Sequence, residues 1–178
     1  MHLDDPGAGD VAAILGDALG VVRATHRWRA LHAPLGVVTD LASAVFTHPS
    51  AAWFYLDLAQ VQVAVVAQLR ARATSGGPDA PGTPGASGTP GARGDGPVPP
   101  SAVGLAARSE RFRALWSGLA VAHRPRTPYE VRHPALGVLR LDRVTVLRPD
   151  GTWCERLVPR PGDRGDRDAE SLALLDLL

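Results

Sequence analysis

Residues 139–158 decide the fold, and they read LRLDRVTVLRPDGTWCERLV. The first nine residues place apolar side chains at positions 139, 141, 144, 146 and 147, which is typical of a β-strand. Pro149, Asp150 and Gly151 then form a strong turn signal, and residues 153–158 supply a second strand. The stretch therefore predicts an antiparallel hairpin, and the apolar spacing predicts a bulge near Asp142 and Arg143.

Helical patterns flank this hairpin on both sides. A strand is predicted at residues 19–24, and the order of helices, hairpin and final helix favours an α+β fold over a wound parallel sheet. The predicted helices are residues 10–18 capped by Asp10, 26–32, a helix after Thr39 or Asp40 that stops before Pro49, 50–73 capped by Ser50, a helix capped by Ser109, and 168–178 capped by Asp168.

One segment interrupts the helical part. Residues 75–100 contain eight glycines and seven prolines, and such a composition cannot bury enough apolar surface to offset the entropy of ordering. We interpret the segment as a disordered insertion, because neither flank resembles a complete domain. The chain is thus predicted to have a tail at residues 1–9 and one domain at residues 10–178.

The composition excludes several function classes. The chain has 178 residues, 45% of them hydrophobic, and a formal net charge of +1, which argues against nucleic-acid binding by bulk charge. A single cysteine, Cys154, excludes an intrachain disulfide and a multi-cysteine zinc site. No apolar run has the length of a membrane span, and acidic residues stand where a signal peptide carries basic ones. We expect a soluble, cytoplasmic protein.

Catalytic and metal-binding motifs are not found in the sequence. There is no nucleophile-elbow, phosphate-loop or HExxH motif, and the six histidines are scattered. Cys154 lies in a predicted strand and is interpreted as a packed structural thiol. We therefore predict no catalytic residues, no metal, no cofactor and no enzyme activity.

Aromatic residues are the more informative candidates. They either build the core or line an apolar ligand cavity between helices and sheet, and spacing alone leaves both roles open. Seven of the nine lie on predicted helices: Trp28, Phe46, Trp53, Phe54, Tyr55, Phe112 and Trp116.

Several motifs, taken in order, resemble a known family. They are LASAVFTHP at residues 41–49, the trio WFY at 53–55 with Asp57, SERFRALW at 109–116, HPALGVLRL at 133–141 and RLV at 156–158. In this order they resemble the MmyB-like ligand-binding domain of helix-turn-helix (XRE-type) transcription regulators. The resemblance covers about residues 11–178, and Leu58 stands where the family usually has tryptophan.

The resemblance implies both a fold and a function. The family's fold is PAS-like, with an antiparallel sheet packed by helices around an apolar pocket that is thought to hold a fatty-acid-like molecule. Arg113 or His133 would meet the polar head group of that molecule. The implied ligand-binding residues are Trp53, Phe54, Phe112, Leu115, Trp116, His133, Leu139 and Leu141.

Family members regulate transcription through an N-terminal DNA-binding domain, which we expect this chain to lack. We therefore expect an apolar small molecule as its partner, no membrane and no direct DNA contact. A related regulator would respond to whether the ligand is bound, and a homodimer is compatible with this interpretation. One alternative is a degenerate sensor that only dimerises or binds protein. An enzyme on the same scaffold is the least favoured reading.

Overall fold

Five antiparallel strands form one sheet in the computed structural model, which describes residues 6–74, 98, 100–118 and 122–178. The order across the sheet is β2-β1-β5-β4-β3, so the first and last strands of the chain meet at its centre. The strands are β1 (Val11–Leu15), β2 (Val21–Ala24), β3 (Arg126–His133), β4 (Gly137–Leu147) and β5 (Trp153–Pro159).

Within the described residues, six helices lie in the connection from β2 to β3, and a seventh follows β5. Short 3₁₀ turns at Asp17–Leu19, Ala33–Leu35, Pro100–Ala102 and Leu174–Leu177 complete the described part. The helices are α1 (His26–His32), α2 (Leu41–Thr47), α3 (Ala51–Phe54), α4 (Leu58–Thr74), α5 (Val103–Arg108), α6 (Glu110–Ser117) and α7 (Gly165–Ala173).

One hydrophobic core joins the helix layer to one face of the sheet. On β4 the buried side chains of Leu139, Leu141 and Arg143 alternate along the strand, and Arg143 contacts Gln68 of α4. Because side chains alternate across a strand, these residues identify the face that meets the helices. The fold is mixed helix and sheet, as the α+β prediction requires.

Both edges of the sheet are partly covered by helix-layer segments. Tyr55 makes a β-bridge with Val131, and the Leu56 amide donates to the Glu130 carbonyl at 3.0 Å, which covers the edge of β3. At the other edge the Val21 amide donates to the Thr39 carbonyl at 2.8 Å. Covered edges leave fewer unpaired backbone groups for association with another strand.

Local capping signals predicted several elements correctly. Helix α1 has the predicted bounds, the Asp40 carboxylate accepts from the Ser43 amide at the start of α2, and Ser109 accepts from Phe112 at the start of α6. The hairpin is also confirmed, with a turn in which Gly151 adopts a φ of +78°. Strand β2 lies within the predicted range.

The predicted helix at residues 10–18 is wrong, because Val11–Leu15 is strand β1. All five residues are buried, and the strand pairs with β2 on one side and β5 on the other. A short apolar run is compatible with either secondary structure, and pairing on both sides favours the strand. Asp10 caps no helix; its carboxylate accepts from the Gly7 amide at 2.8 Å and pairs with Arg156.

The single helix predicted at residues 50–73 is also wrong. It is divided into α3 and α4, because the backbone of Tyr55 is extended (φ −87°, ψ 122°) where it bridges to Val131. The carboxylate of Asp57 then accepts from the Gln60 amide at 3.0 Å and caps the new helix.

Two further expectations need correction. Helix α7 begins at Gly165, and Asp168 lies inside it with its carboxylate accepting from the Arg140 amide at 3.3 Å. The helix also ends at Ala173, followed by the last 3₁₀ turn. No bulge occurs near Asp142 and Arg143, since β4 pairs continuously with both of its neighbours. The irregular register lies instead between β1 and β2, at Ile14 and Leu15.

The predicted insertion at residues 75–100 lies almost wholly outside the described residues. Of that range the structure describes Val98 and Pro100, and Pro100 begins a 3₁₀ turn. The first five residues of the predicted tail are also outside the description. The domain boundaries therefore stay a prediction.

Candidate functional site

A groove of about 320 Å³ lies against helix α1 and the segment that follows it. Trp28 and His32 are buried and stacked, with ring centroids 4.1 Å apart, while Val37 is 92% exposed. Gly36 has a φ of +70° with open space where a Cβ would stand, so the chain turns here without closing the groove. The lining residues are Trp28, Arg29, His32, Ala33, Gly36, Val37 and Val38.

Trp28 is held by a buried polar network that reaches the sheet. Its Nε1 donates to Glu155 Oε1 on β5 at 3.0 Å, and Arg143 Nε on β4 donates to Glu155 Oε2 at 2.6 Å. Arg143 Nη2 also donates to Gln68 Oε1 on α4 at 2.6 Å. The side chains of Arg143 and Glu155 are almost completely buried, so this ion pair is shielded from solvent. The network connects the groove to the sheet and to α4.

His32 is held by a second buried chain of hydrogen bonds. Its Nδ1 lies 2.8 Å from the Trp28 carbonyl oxygen, and its Nε2 lies 2.9 Å from the Tyr129 hydroxyl. The Tyr129 hydroxyl is also 3.3 Å from that of Tyr55. Burial lowers the pKa of His32, so we assign a neutral ring whose Nδ1–H donates to the carbonyl. Burial raises the pKa of both tyrosines, which keeps their hydroxyls protonated.

The helix residues predicted to bind ligand are packed against other aromatic rings. Phe112 is fully buried, meets Phe46 edge-on at 5.3 Å and stacks on Trp116 at 5.7 Å. The guanidinium of Arg70 lies 5.2 Å from the centre of the Trp116 ring. Leu115 is half-buried against the same core. These contacts place the α6 aromatic side chains in a packed cluster.

The other predicted site residues lie elsewhere. Phe54 is fully buried between His32 and Tyr55, whereas Trp53 is 43% exposed beneath the guanidinium of Arg132. Leu139 and Leu141 are buried on β4 opposite Val131 and Tyr129. None of the eight predicted residues lines the groove on α1.

Both predicted head-group residues are occupied by backbone contacts. Arg113 Nη1 donates to the Ala106 carbonyl at 2.5 Å. His133 Nε2 lies 3.3 Å from the Ala30 carbonyl, and its Nδ1 accepts from the Ala135 amide at 3.3 Å. Burial lowers the pKa of His133, so a neutral ring fits these contacts.

The sequence does not single out the groove. Trp28 is one of seven aromatic candidates on predicted helices, and His32 is one of six scattered histidines. The useful signal is that Trp28 and His32 are four residues apart and therefore share one face of a helix. The turn at Gly36 that leaves the groove open has no comparable signal in the sequence.

Three other kinds of functional feature bear on the described residues: a metal site, a reactive cysteine and a membrane-spanning helix. Among them no group of three or more His, Cys, Asp or Glu side chains could hold a metal ion. Cys154 is buried in β5 between Ile14 and Val146 of the neighbouring strands, as expected of a packed thiol. No helix in the described part of the chain is long and apolar enough to cross a membrane.

A comparison with family models finds a match in the second half of the chain. Residues 98–175 match the MmyB-like transcription regulator ligand binding domain. The match spans α5, α6, β3, β4, β5 and most of the final helical part, and over these residues it confirms the resemblance recognised from the sequence. That family comprises regulator domains and is not an enzyme family. No curated protein matches the chain.

Proposed function

We propose that the chain is a ligand-sensing domain of a transcription regulator, acting in the cytoplasm, and that it binds an apolar, fatty-acid-like molecule. The observation that carries this proposal is the family match over residues 98–175. The groove on α1 supplies a site for such a molecule, because apolar walls meet a stacked Trp28–His32 pair there. A partner regulator would read the bound state, so this chain need not contact DNA itself.

The sheet topology supports a PAS-like assignment. The antiparallel order β2-β1-β5-β4-β3, with described helices α1 to α6 in the connection from β2 to β3, gives the helix-packed antiparallel sheet that the resemblance implies. Ligand binding to such a domain acts by favouring one packing of the helices over another. The two buried networks connect α1 to the sheet, so a shift of α1 on ligand binding would be transmitted to the strands through them.

Dimerisation or protein binding without a ligand is a second candidate function. One observation favours it: Phe54, Phe112, Leu139 and Leu141 are fully buried within the protein's own core. A domain whose interior is occupied by its own side chains has no need of a ligand to complete its packing.

Palmitate added to delipidated protein separates the two candidates. When a ligand binds only the folded state and its free concentration is one hundred times its Kd, it stabilises that state by about 2.7 kcal/mol. For a chain of this length we expect the melting temperature to rise by about 5–10 °C. Hexadecan-1-ol, the alcohol that matches palmitate, reports how much of the rise in melting temperature requires the carboxylate. An unchanged melting temperature with palmitate and with shorter fatty acids would favour the ligand-free role.

A further inference from the structure

We propose that the groove on α1 binds a compact organic monoanion, with its apolar body against Val37 and Val38 and its charge at Arg29. This inference rests on the proposed function and narrows it to one site, one charge and a limited size. The ligand would be a carboxylate with a short aliphatic or an aromatic body, and not a long acyl chain enclosed by the core.

The size of the groove limits the ligand. A volume of about 320 Å³ lies at the small end of the roughly 300–1,000 Å³ that ligand pockets span. The fully buried Phe54, Phe112 and Leu139 belong to one continuous core, whereas the groove on α1 is open to solvent at Val37. The exposed Val37 and Ala33 stand at the entrance of the groove.

The charge of the groove determines the sign of the charge that its ligand carries. Arg29 is exposed at the groove, and within the described residues its guanidinium has neither an ion pair nor a hydrogen bond. No acidic side chain lines the groove. His32 is also at the groove, but both of its ring nitrogens are engaged by Trp28 and Tyr129. Among the lining side chains the available donors are therefore those of Arg29, whose planar guanidinium suits a carboxylate.

The floor of the groove is preorganised. Trp28 is fixed by Glu155 and His32 by Tyr129, so the apolar surface needs no side-chain ordering when a ligand arrives. The same hydrogen bond makes the Trp28 indole N–H a local reporter, because a ligand against this ring changes the environment of that one signal. The sequence contains four tryptophans, and Trp53 and Trp116 belong to the alternative set of ligand residues.

The first test titrates octanoate into ¹⁵N-labelled, delipidated protein and follows the four indole N–H signals by NMR. The variants Trp53→Phe, Trp116→Phe and Trp153→Phe assign the other three signals. We expect the chemical shift of the Trp28 signal to change with octanoate concentration until it reaches a plateau, while the Trp53 and Trp116 signals do not move. A shift of Trp116 or Trp53 without Trp28 would overturn the site while leaving the proposed function intact.

The second test measures affinity in matched variants. Arg29→Gln should weaken octanoate binding about fivefold, as expected for an exposed ion pair, and leave 1-octanol unaffected. Ala33→Trp should block the entrance of the groove and weaken the binding of octanoate and of 1-octanol at least tenfold. The controls are Arg167→Gln, an exposed arginine on α7, and Ala59→Trp, an exposed alanine on α4. An Arg29→Gln variant with wild-type octanoate affinity would overturn the assignment of charge.

The third test varies the ligand from hexanoate to palmitate and adds indole-3-acetate as the aromatic arm. Each CH₂ that enters the groove should raise affinity about fourfold, and the gain should stop before palmitate because further carbons remain in solvent. Affinity that rises steadily to palmitate and ignores Ala33→Trp would refute the compact site and support an enclosed acyl tunnel. If no carboxylate binds wild-type protein, both this inference and the proposed function fail.

Discussion

Glu155→Gln is expected to lower the free energy of unfolding by about 3–5 kcal/mol, because it leaves Arg143 as an uncompensated buried charge. The two side chains are 3% and 0% exposed, so solvent does not screen the pair. The substitution keeps the shape of the side chain and therefore isolates the effect of charge. Urea denaturation followed by circular dichroism measures the change.

Two comparisons make this result specific. Glu130→Gln removes a carboxylate from an ion pair with Arg160 that is about 30% exposed, and should cost less than about 1 kcal/mol. The double variant Arg143→Met, Glu155→Leu removes both buried charges, but it also leaves Trp28 Nε1 and Gln68 Oε1 without their partners, so it should recover only part of the stability lost. A cost below about 1 kcal/mol for Glu155→Gln would show that Arg143 and Glu155 do not form a buried ion pair in solution.

Trp116→Ala is expected to have an effect of similar size, about 3–5 kcal/mol, because Trp116 is buried and stacked on Phe112. Part of the loss is the apolar area of the ring, and part is the cavity that remains beneath Arg70. Trp116→Phe should retain most of the packing and cost less. Thermal and urea unfolding of the three proteins measure the difference.

The same variant decides between two roles of the α6 aromatics. We expect the folded fraction of Trp116→Ala, measured well below its melting temperature, to bind octanoate with wild-type affinity. Lost ligand binding with unchanged stability would instead identify Trp116 as a lining residue, as the family resemblance implies. Since the two readouts are independent, a general loss of folding is not mistaken for a loss of the site.

The sequence predicted elements whose signals are local. Asp40 and Ser109 cap their helices through hydrogen bonds to residues three positions away, so the cap and its partner are read together. The turn at Pro149–Gly151 is local in the same sense, and it fixed the hairpin correctly. These signals were sufficient for the α+β class.

Elements that depend on distant partners could not be predicted in this way. The run at Val11–Leu15 is a strand because β5 pairs with it, and no local feature separates it from a short buried helix. The helix expected from Ser50 is interrupted where Tyr55 bridges to Val131, a contact that joins segments far apart in the chain. Tertiary contacts overrode the local pattern in both places.

The candidate site shows the same division. That Trp28 and His32 share a helix face is visible in the sequence. However, the partner that fixes Trp28 is Glu155, 127 positions away, and no motif connects the two. The eight residues chosen through the family resemblance remain predictions, and the structure adds a groove that this choice did not include.

Mass spectrometry of an organic-solvent extract from the purified, natively folded protein tests the ligand-sensing claim most directly. Protein that was heat-denatured and washed before extraction is the control for adventitious lipid. We expect an organic acid in stoichiometric amount from the folded sample and little from the control. An empty extract, together with no binding of added octanoate or palmitate, would contradict the sensor and favour a domain that acts through protein contacts alone.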